Sequence, residues 1–216
     1  MKEFNETNIS LNYIKKAIQS GKTIIYPTDT VYGLGATMDN TDALEKLYKI
    51  KERNFSMPLI ALVDNADKIG LLGKVNPDNK KIIETLIAKY WPGSLTIIIK
   101  KKENIPNIMV AGKDTIGIRL PNHSLALEII KNAGGILPTT SANISGESPP
   151  TSYKEVSEKI KNKVDIIVDG GQLPISIPST IIDVTESNVI KILRKGMITI
   201  DNLTETLGKK IKIIRG

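Results

Sequence analysis

The chain has 216 residues, 40% of them hydrophobic, enough to bury the core of one large domain and too apolar for a disordered or fibrous protein. It contains no cysteine and one histidine, which excludes disulfides, thiolate metal sites, a cysteine nucleophile and most imidazole metal clusters. A formal charge of +7 suits an anionic partner such as nucleic acid or nucleotide, or else reflects solubilising lysine.

In chain order, the first residues, Met1-Lys2-Glu3-Phe4-Asn5-Glu6, lack the apolar core of a signal peptide. No stretch approaches the ~20 apolar residues that span a bilayer, so the expectation is a cytoplasmic protein without a membrane partner. Leu11, Ile14 and Ile18 recur at helical spacing after Ser10, with Gly21 as a stop. An apolar strand over 22–26 then runs into Pro27-Thr28-Asp29-Thr30-Val31-Tyr32-Gly33-Leu34-Gly35. That run gathers hydroxyls, a carboxylate and two glycines where open α/β sheets bind ligands, although the same composition suits an ordinary connection.

A second helix begins near Thr41 with Leu44, Leu47 and Tyr48 on one face, and 58–63 reads as a buried strand. Asp78 is the expected cap of a third helix, ended by Trp91-Pro92-Gly93, and 95–99 is a strand. Further strands are expected at 115–119, 136–139 and 164–168, with Asn122 capping a helix that stops at Gly134-Gly135. A polar loop over 140–151 precedes a short helix carrying Tyr153, Val156 and Ile160. The stretches 180–184 and 189–193 form a hairpin, followed by a helix from Asp201 and an apolar stretch at 211–214. Helical and hairpin connections together predict one α/β domain over 1–216 on a mixed parallel and antiparallel sheet.

Arginine is used sparingly. Arg53, Arg119 and Arg194 each stand beside a loop signal, where a rigid charged fork grips carboxylate or phosphate at two points. Standard nucleotide signatures fail, because Met38 occupies the place of the third glycine after Gly33-Leu34-Gly35 and no Gly-Lys-Ser/Thr loop exists. The run 139–146 offers hydroxyls and amides that suit phosphate, or a plain polar loop.

Taken in order, 27–34, Lys51-Glu52-Arg53, Trp91-Pro92-Gly93-Ser94-Leu95-Thr96, Arg119-Leu120-Pro121, Ser141-Ala142-Asn143-Ile144-Ser145-Gly146, Ser179-Thr180 and Arg194-Lys195-Gly196 resemble the YrdC family. The resemblance runs from about residue 8 to 200 and is to the short, single-domain form. It implies a twisted, open α/β sheet with a concave basic face. It also implies the family's reaction, in which L-threonine, bicarbonate and ATP give threonylcarbamoyl-AMP and pyrophosphate for the threonylcarbamoyladenosine modification of tRNA. By the same resemblance, Thr30, Arg119, Thr139 and Ser179 are expected at L-threonine, and Arg53, Thr115, Ser141 and Arg194 at ATP. Lys51 is expected to stabilise charge near the reacting phosphate, with Asn143 as a supporting donor, so that Lys51, Arg53, Ser141 and Asn143 form the catalytic set. Mg2+ would arrive with ATP, held by phosphate oxygens and water rather than by a protein motif.

Without the resemblance, Lys51 and Arg53 read as a solvated helix end, Arg119 and Arg194 as strand-end charges, and Trp91 as a core anchor. His123 reads as a surface or capping residue. The chain departs from the family pattern at Asn54, Met57-Pro58 and Leu62, where the family often has proline, Asn-Pro and histidine, and at Ser94 and Thr140, where it has proline. Two rival readings remain. One is a non-catalytic protein binding tRNA or double-stranded RNA through lysine runs such as Lys100-Lys101-Lys102 and Lys209-Lys210, although 4% aromatic content leaves few stacking platforms. The other is a carbamoyl-adenylate enzyme with a different acceptor. Downstream tRNA-modification proteins are the expected protein partners.

Overall fold

Alternation along the strands decides the architecture of the computed structural model, which describes residues 1–174, 177–208 and 211–216. The first half runs β1 (Lys2–Asn5), α1 (Leu11–Gln19), β2 (Ile24–Tyr26), β3 (Gly33–Gly35), α2 (Thr41–Lys51) and β4 (Ile60–Val63). It continues through α3 (Ile69–Leu72), β5 (Gly73–Lys74), α4 (Lys80–Tyr90), β6 (Leu95–Lys101) and β7 (Thr115–Arg119). The rest is α5 (Ser124–Asn132), β8 (Ile136–Ser141), α6 (Glu158–Lys161), β9 (Ile166–Asp169), β10 (Thr180–Asp183), β11 (Val189–Arg194), α7 (Ile200–Leu207) and β12 (Lys212–Arg215). Among the described residues the strands form one sheet in the order β1-β9-β2-β3-β8-β4-β7-β6-β10-β11-β12, with β5 joined to β6. Parallel pairs such as β4 with β7 and β10 with β6 mix with antiparallel ones such as β6 with β7. This is the mixed α/β sheet that the connections predict.

On β6 and β7, Ile97, Ile99, Ile116 and Ile118 enter one core with Leu44, Leu47 and Tyr48 of α2 and Ile83 and Leu86 of α4. Each such aliphatic side chain contributes about 1.5–3 kcal/mol by leaving water. The opposite face is covered by α1 and α5 only over Ile24, Tyr26, Ile166, Val168, Leu137 and Leu62. Beyond Leu62 that face stays open, and there Thr96, Ile98 and Lys100 of β6 and Thr115, Gly117 and Arg119 of β7 face a cavity. The sheet therefore has a bare half, and the candidate site is built on it.

Several local expectations are corrected. The run 27–35 is a turn that ends in β3, antiparallel to β2, and its side chains are mostly buried. Asp78 does not cap the third helix: Asn76 accepts from the Asp78 N–H (3.1 Å) and starts a 3-10 turn over Pro77–Asn79 ahead of α4. Asn122 lies one residue too early, and His123 caps α5 by accepting the Ala126 N–H at Nδ1 (3.3 Å). The helix at 153–160 is split by Val156, whose extended backbone separates a 3-10 turn from α6. β8 runs on to Ser141, so the polar loop begins later than 140. Lys209 and Lys210 lie outside the described residues. Among the described residues no helix is long and apolar enough to cross a membrane.

At the end of α2, Glu52 adopts a left-handed backbone (φ 52°), and the Arg53 N–H reaches back to the Tyr48 carbonyl (2.9 Å). This reversal sends Lys51 inward and Arg53 to the cavity. A side chain in that conformation costs about 1–2 kcal/mol, partly offset by glycine's greater freedom when unfolded. Glu52→Gly is therefore expected to raise the melting temperature by about 2 °C, and thermal unfolding that shows a fall would deny the strain.

Candidate active site

The cavity on the bare half of the sheet has a volume of about 1090 Å3. Thr30, Arg53, Thr115, Arg119, Thr139, Ser141, Ser179 and Arg194 all line it, so the structure brings these separate segments together. Lys51 and Asn143 do not line it.

The turn after β2 is held from within. Thr28 donates its hydroxyl to the Val31 carbonyl (2.7 Å), and the Tyr32 hydroxyl donates to the Gly171 carbonyl (2.8 Å) and accepts the Gly170 N–H (3.0 Å). Tyr32 is thus an anchor turned away from the cavity, and Thr30 is left to meet Arg119. That arginine donates from Nε to the Gly93 carbonyl (2.9 Å), from one terminal nitrogen to the Thr30 hydroxyl (2.9 Å), and from the other to the Asp29 carboxylate (2.5 Å). The Asp29–Arg119 ion pair is buried on both sides. Of the five guanidinium donors, two remain, the number one carboxylate grips. The Gly93 carbonyl is presented by the Trp91-Pro92-Gly93-Ser94 turn, where Trp91 donates from its indole to the Leu95 carbonyl (2.7 Å).

Arg53 and Arg194 are balanced differently. Arg53 donates to the Met57 and Pro58 carbonyls (3.2 and 3.0 Å) and to the Thr140 hydroxyl (3.2 Å). Arg194 donates to the Ser179 carbonyl (3.0 Å) and hydroxyl (2.9 Å), and that hydroxyl also meets Thr96 (2.8 Å). All of these partners are neutral. Among the described residues neither arginine has a carboxylate in ion-pair range, whereas Arg119 does. Burial lowers the pKa of both, and for Arg194 the charges of Arg119 and Arg53 lower it further. The guanidiniums repel one another across the cavity, and an anion with several charges would relieve them.

Lys51 lies behind the wall. Its ammonium donates to the Ser141 and Asn143 carbonyls (both 2.7 Å), the Asn143 side-chain oxygen (2.9 Å) and the Ser141 hydroxyl (3.2 Å). Burial, and then the charge of Arg53, push its pKa down from the ordinary 10.5 to about 7, while Glu147 acts in the other direction. The carbonyl contacts also favour the charged form, which alone has three N–H donors. Asn143 is equally engaged, donating to the Ile144 and Glu147 carbonyls (2.9 and 2.7 Å). Both side chains shape the turn that presents Ser141. Thr139 meets the buried Tyr26 hydroxyl (2.7 Å), whose pKa burial raises beyond the usual phenol range.

Sequence reasoning missed the partner of Arg119, Asp29, and the wall residues Thr96, Ile98, Lys100, Gly117 and Asp183. The strict alternation of 115–119 carries a signal that would have found its part of the wall, whereas Ile98 interrupts the same pattern on 95–100. Three of the departures from the family pattern, at Asn54, Leu62 and Thr140, have local explanations. Asn54 accepts the Ser56 N–H (2.9 Å) in a side-chain turn, Phe55 stacks on Tyr48 (4.7 Å), and Thr140 supplies a contact to Arg53. Leu62 pairs with Arg119 in register and leaves that wall apolar.

Gly196 allows Arg194 to fold back over Ser179. A Cβ there would overlap the Pro178 carbonyl oxygen and the Thr180 nitrogen, both rigid backbone. Gly196→Ala is expected to part Arg194 from Ser179 and lower kcat/KM about tenfold or more, and steady-state kinetics equal to the parent would contradict this.

A family model described as Sua5_yciO_yrdC, telomere recombination, matches residues 16–196. A Methanocaldococcus jannaschii protein is 43% identical over 195 residues, covering 89% of this chain and 88% of that protein. The threonylcarbamoyl-AMP synthase of Pyrococcus abyssi is 35% identical over 192 residues, covering 89% of this chain and 55% of that enzyme, so the chain spans about half its length. The crystal structure of P. abyssi Sua5 complexed with L-threonine superposes with a TM-score of 0.88 at 33% identity, covering 98% of this chain and 62% of that one.

Proposed function

Because the chain belongs to the Sua5/YciO/YrdC family, we propose that it joins L-threonine, bicarbonate and ATP into threonylcarbamoyl-AMP, releasing pyrophosphate. The observation that carries this reading is the unequal charge balance of the three arginines. Arg119, half neutralised by Asp29 and left with two donors, suits one α-carboxylate; Arg53 and Arg194, facing the same space with no carboxylate in ion-pair range among the described residues, suit a polyphosphate. The L-threonine complex of the P. abyssi relative supports the amino acid as the carboxylate donor.

In this reading the threonine amine attacks the bicarbonate carbon and water leaves, giving a carbamate. A carbamate oxygen then attacks the α-phosphorus, and the bond to the β-phosphate breaks to release pyrophosphate. Threonine and ATP are held by Arg119 and Thr30 on one side and by Arg53, Arg194, Ser141 and Thr115 on the other. Thr139 and Ser179 shape the amino-acid side. Pre-paid alignment and fixed cations do the work, so no covalent enzyme intermediate is needed. Mg2+ would enter on the triphosphate through phosphate oxygens. The adenylate would pass to tRNA threonylcarbamoyladenosine formation, with partner proteins completing that step.

The test is pyrophosphate release from ATP, Mg2+ and bicarbonate with and without L-threonine. Threonine-dependent release is expected. Salt-sensitive binding of double-stranded RNA without turnover would favour a non-catalytic protein, and turnover with another amine would favour a different acceptor.

A further inference from the structure

We propose that Asp29 is a positioning residue for Arg119, fixing both the posture and the residual charge with which the arginine meets an incoming carboxylate. The inference rests on the amino-acid pocket proposed above and concerns a residue behind its wall. Asp29 does not line the cavity, yet its carboxylate receives one end of the guanidinium at 2.5 Å, and the residue is 9% exposed. The Gly93 carbonyl holds Nε, and Thr30 holds the other terminal nitrogen. These three contacts lie on two different loops and leave the guanidinium plane no freedom to rotate. The two donors not used by the protein are therefore aimed before a ligand arrives.

Charge sets the second half of the role. Arg53 and Arg194 stand in the same cavity without carboxylate partners among the described residues, so a third bare guanidinium would add repulsion and would compete for the polyphosphate. Asp29 offsets that charge at Arg119 alone among the three. The subsite keeps directional donors while losing its appeal to a more highly charged anion, which separates a monocarboxylate site from a phosphate site in the same cavity. The second ionisable group that senses the Asp29 charge is His123 at the start of α5, where burial lowers its pKa and Asp29 raises it.

Calorimetric binding of L-threonine and, separately, of ATP to the wild type, Asp29→Ala and Asp29→Asn tests the proposal, together with hydrogen exchange of the Arg119 Nε–H by NMR. Asp29→Ala is expected to weaken L-threonine binding about tenfold or more, to leave ATP affinity unchanged or tighter, and to speed Nε–H exchange. Asp29→Asn keeps an oxygen acceptor in place and is expected to retain threonine affinity within about threefold, with slow exchange preserved. Equal losses for both ligands in both variants would mean a merely structural residue and would overturn the proposal. If the wild type binds no threonine, the amino-acid pocket fails, and the Nε–H exchange still decides: unchanged exchange in Asp29→Ala overturns the positioning of Arg119.

Discussion

Arg119→Ala is expected to raise the KM for L-threonine about a hundredfold while moving the KM for ATP by no more than about threefold. Two effects act in the same direction. The donors aimed at the carboxylate disappear, and Asp29 is left as a buried carboxylate facing the place where the substrate carboxylate should bind. Removing one partner of a buried pair costs about 3–5 kcal/mol, mostly as the penalty of the charge left behind. Arg53→Ala should show the converse, raising the KM for ATP, because its contacts are to the neutral oxygens of Met57, Pro58 and Thr140 and no anion is stranded. Steady-state kinetics with each substrate varied in turn checks this. Equal losses for both substrates in both variants would contradict the division of the cavity.

Lys51→Met should lower kcat about a hundredfold although the side chain never reaches the cavity. The ammonium ties the Ser141 carbonyl to the Asn143 carbonyl and side chain, and with it the turn that aims the Ser141 hydroxyl. Methionine fills similar volume but leaves these acceptors without donors, at about 1–3 kcal/mol each. Relief of the buried charge offsets part of that loss, so the protein should fold with lowered stability. The expected signature is slow turnover with near-normal binding of L-threonine at Arg119. Unchanged kcat would show that the clamp is not needed. A loss of threonine affinity equal to that of Arg119→Ala would place Lys51 in the wrong part of the site.

The layering was largely legible in the sequence because it rests on periodicity. Ile14 and Ile18 after Ser10, Leu44 and Leu47 after Thr41, and the apolar runs at β4 and β6 each found their element, since burial of one face dominates the local choice. Short elements were missed where periodicity has too few residues to register, as in β1 and in the 66–74 stretch that forms a 3-10 turn, α3 and β5. Caps moved by one or two residues because Asn76 and His123, rather than Asp78 and Asn122, occupy the extended position before the first turn.

The candidate site was legible through its arginines, which stand out against a background of lysine. What stayed hidden was the direction of each side chain. Lys51 and Arg53 sit two residues apart and read as one cationic pair, yet the left-handed Glu52 turns one inward and the other to the cavity. Asp29 was visible as a carboxylate in a polar run, but its pairing with Arg119 spans ninety positions of sequence and depends on the fold bringing the turn after β2 against the end of β7.

The most direct measurement is mass analysis of the nucleotide formed from ATP, L-threonine and isotopically labelled bicarbonate. The charge balance of Arg119, Arg53 and Arg194 predicts a labelled threonylcarbamoyl-adenylate, formed together with pyrophosphate and absent when threonine is omitted. Pyrophosphate without label in the nucleotide, or the same product without threonine, would contradict it.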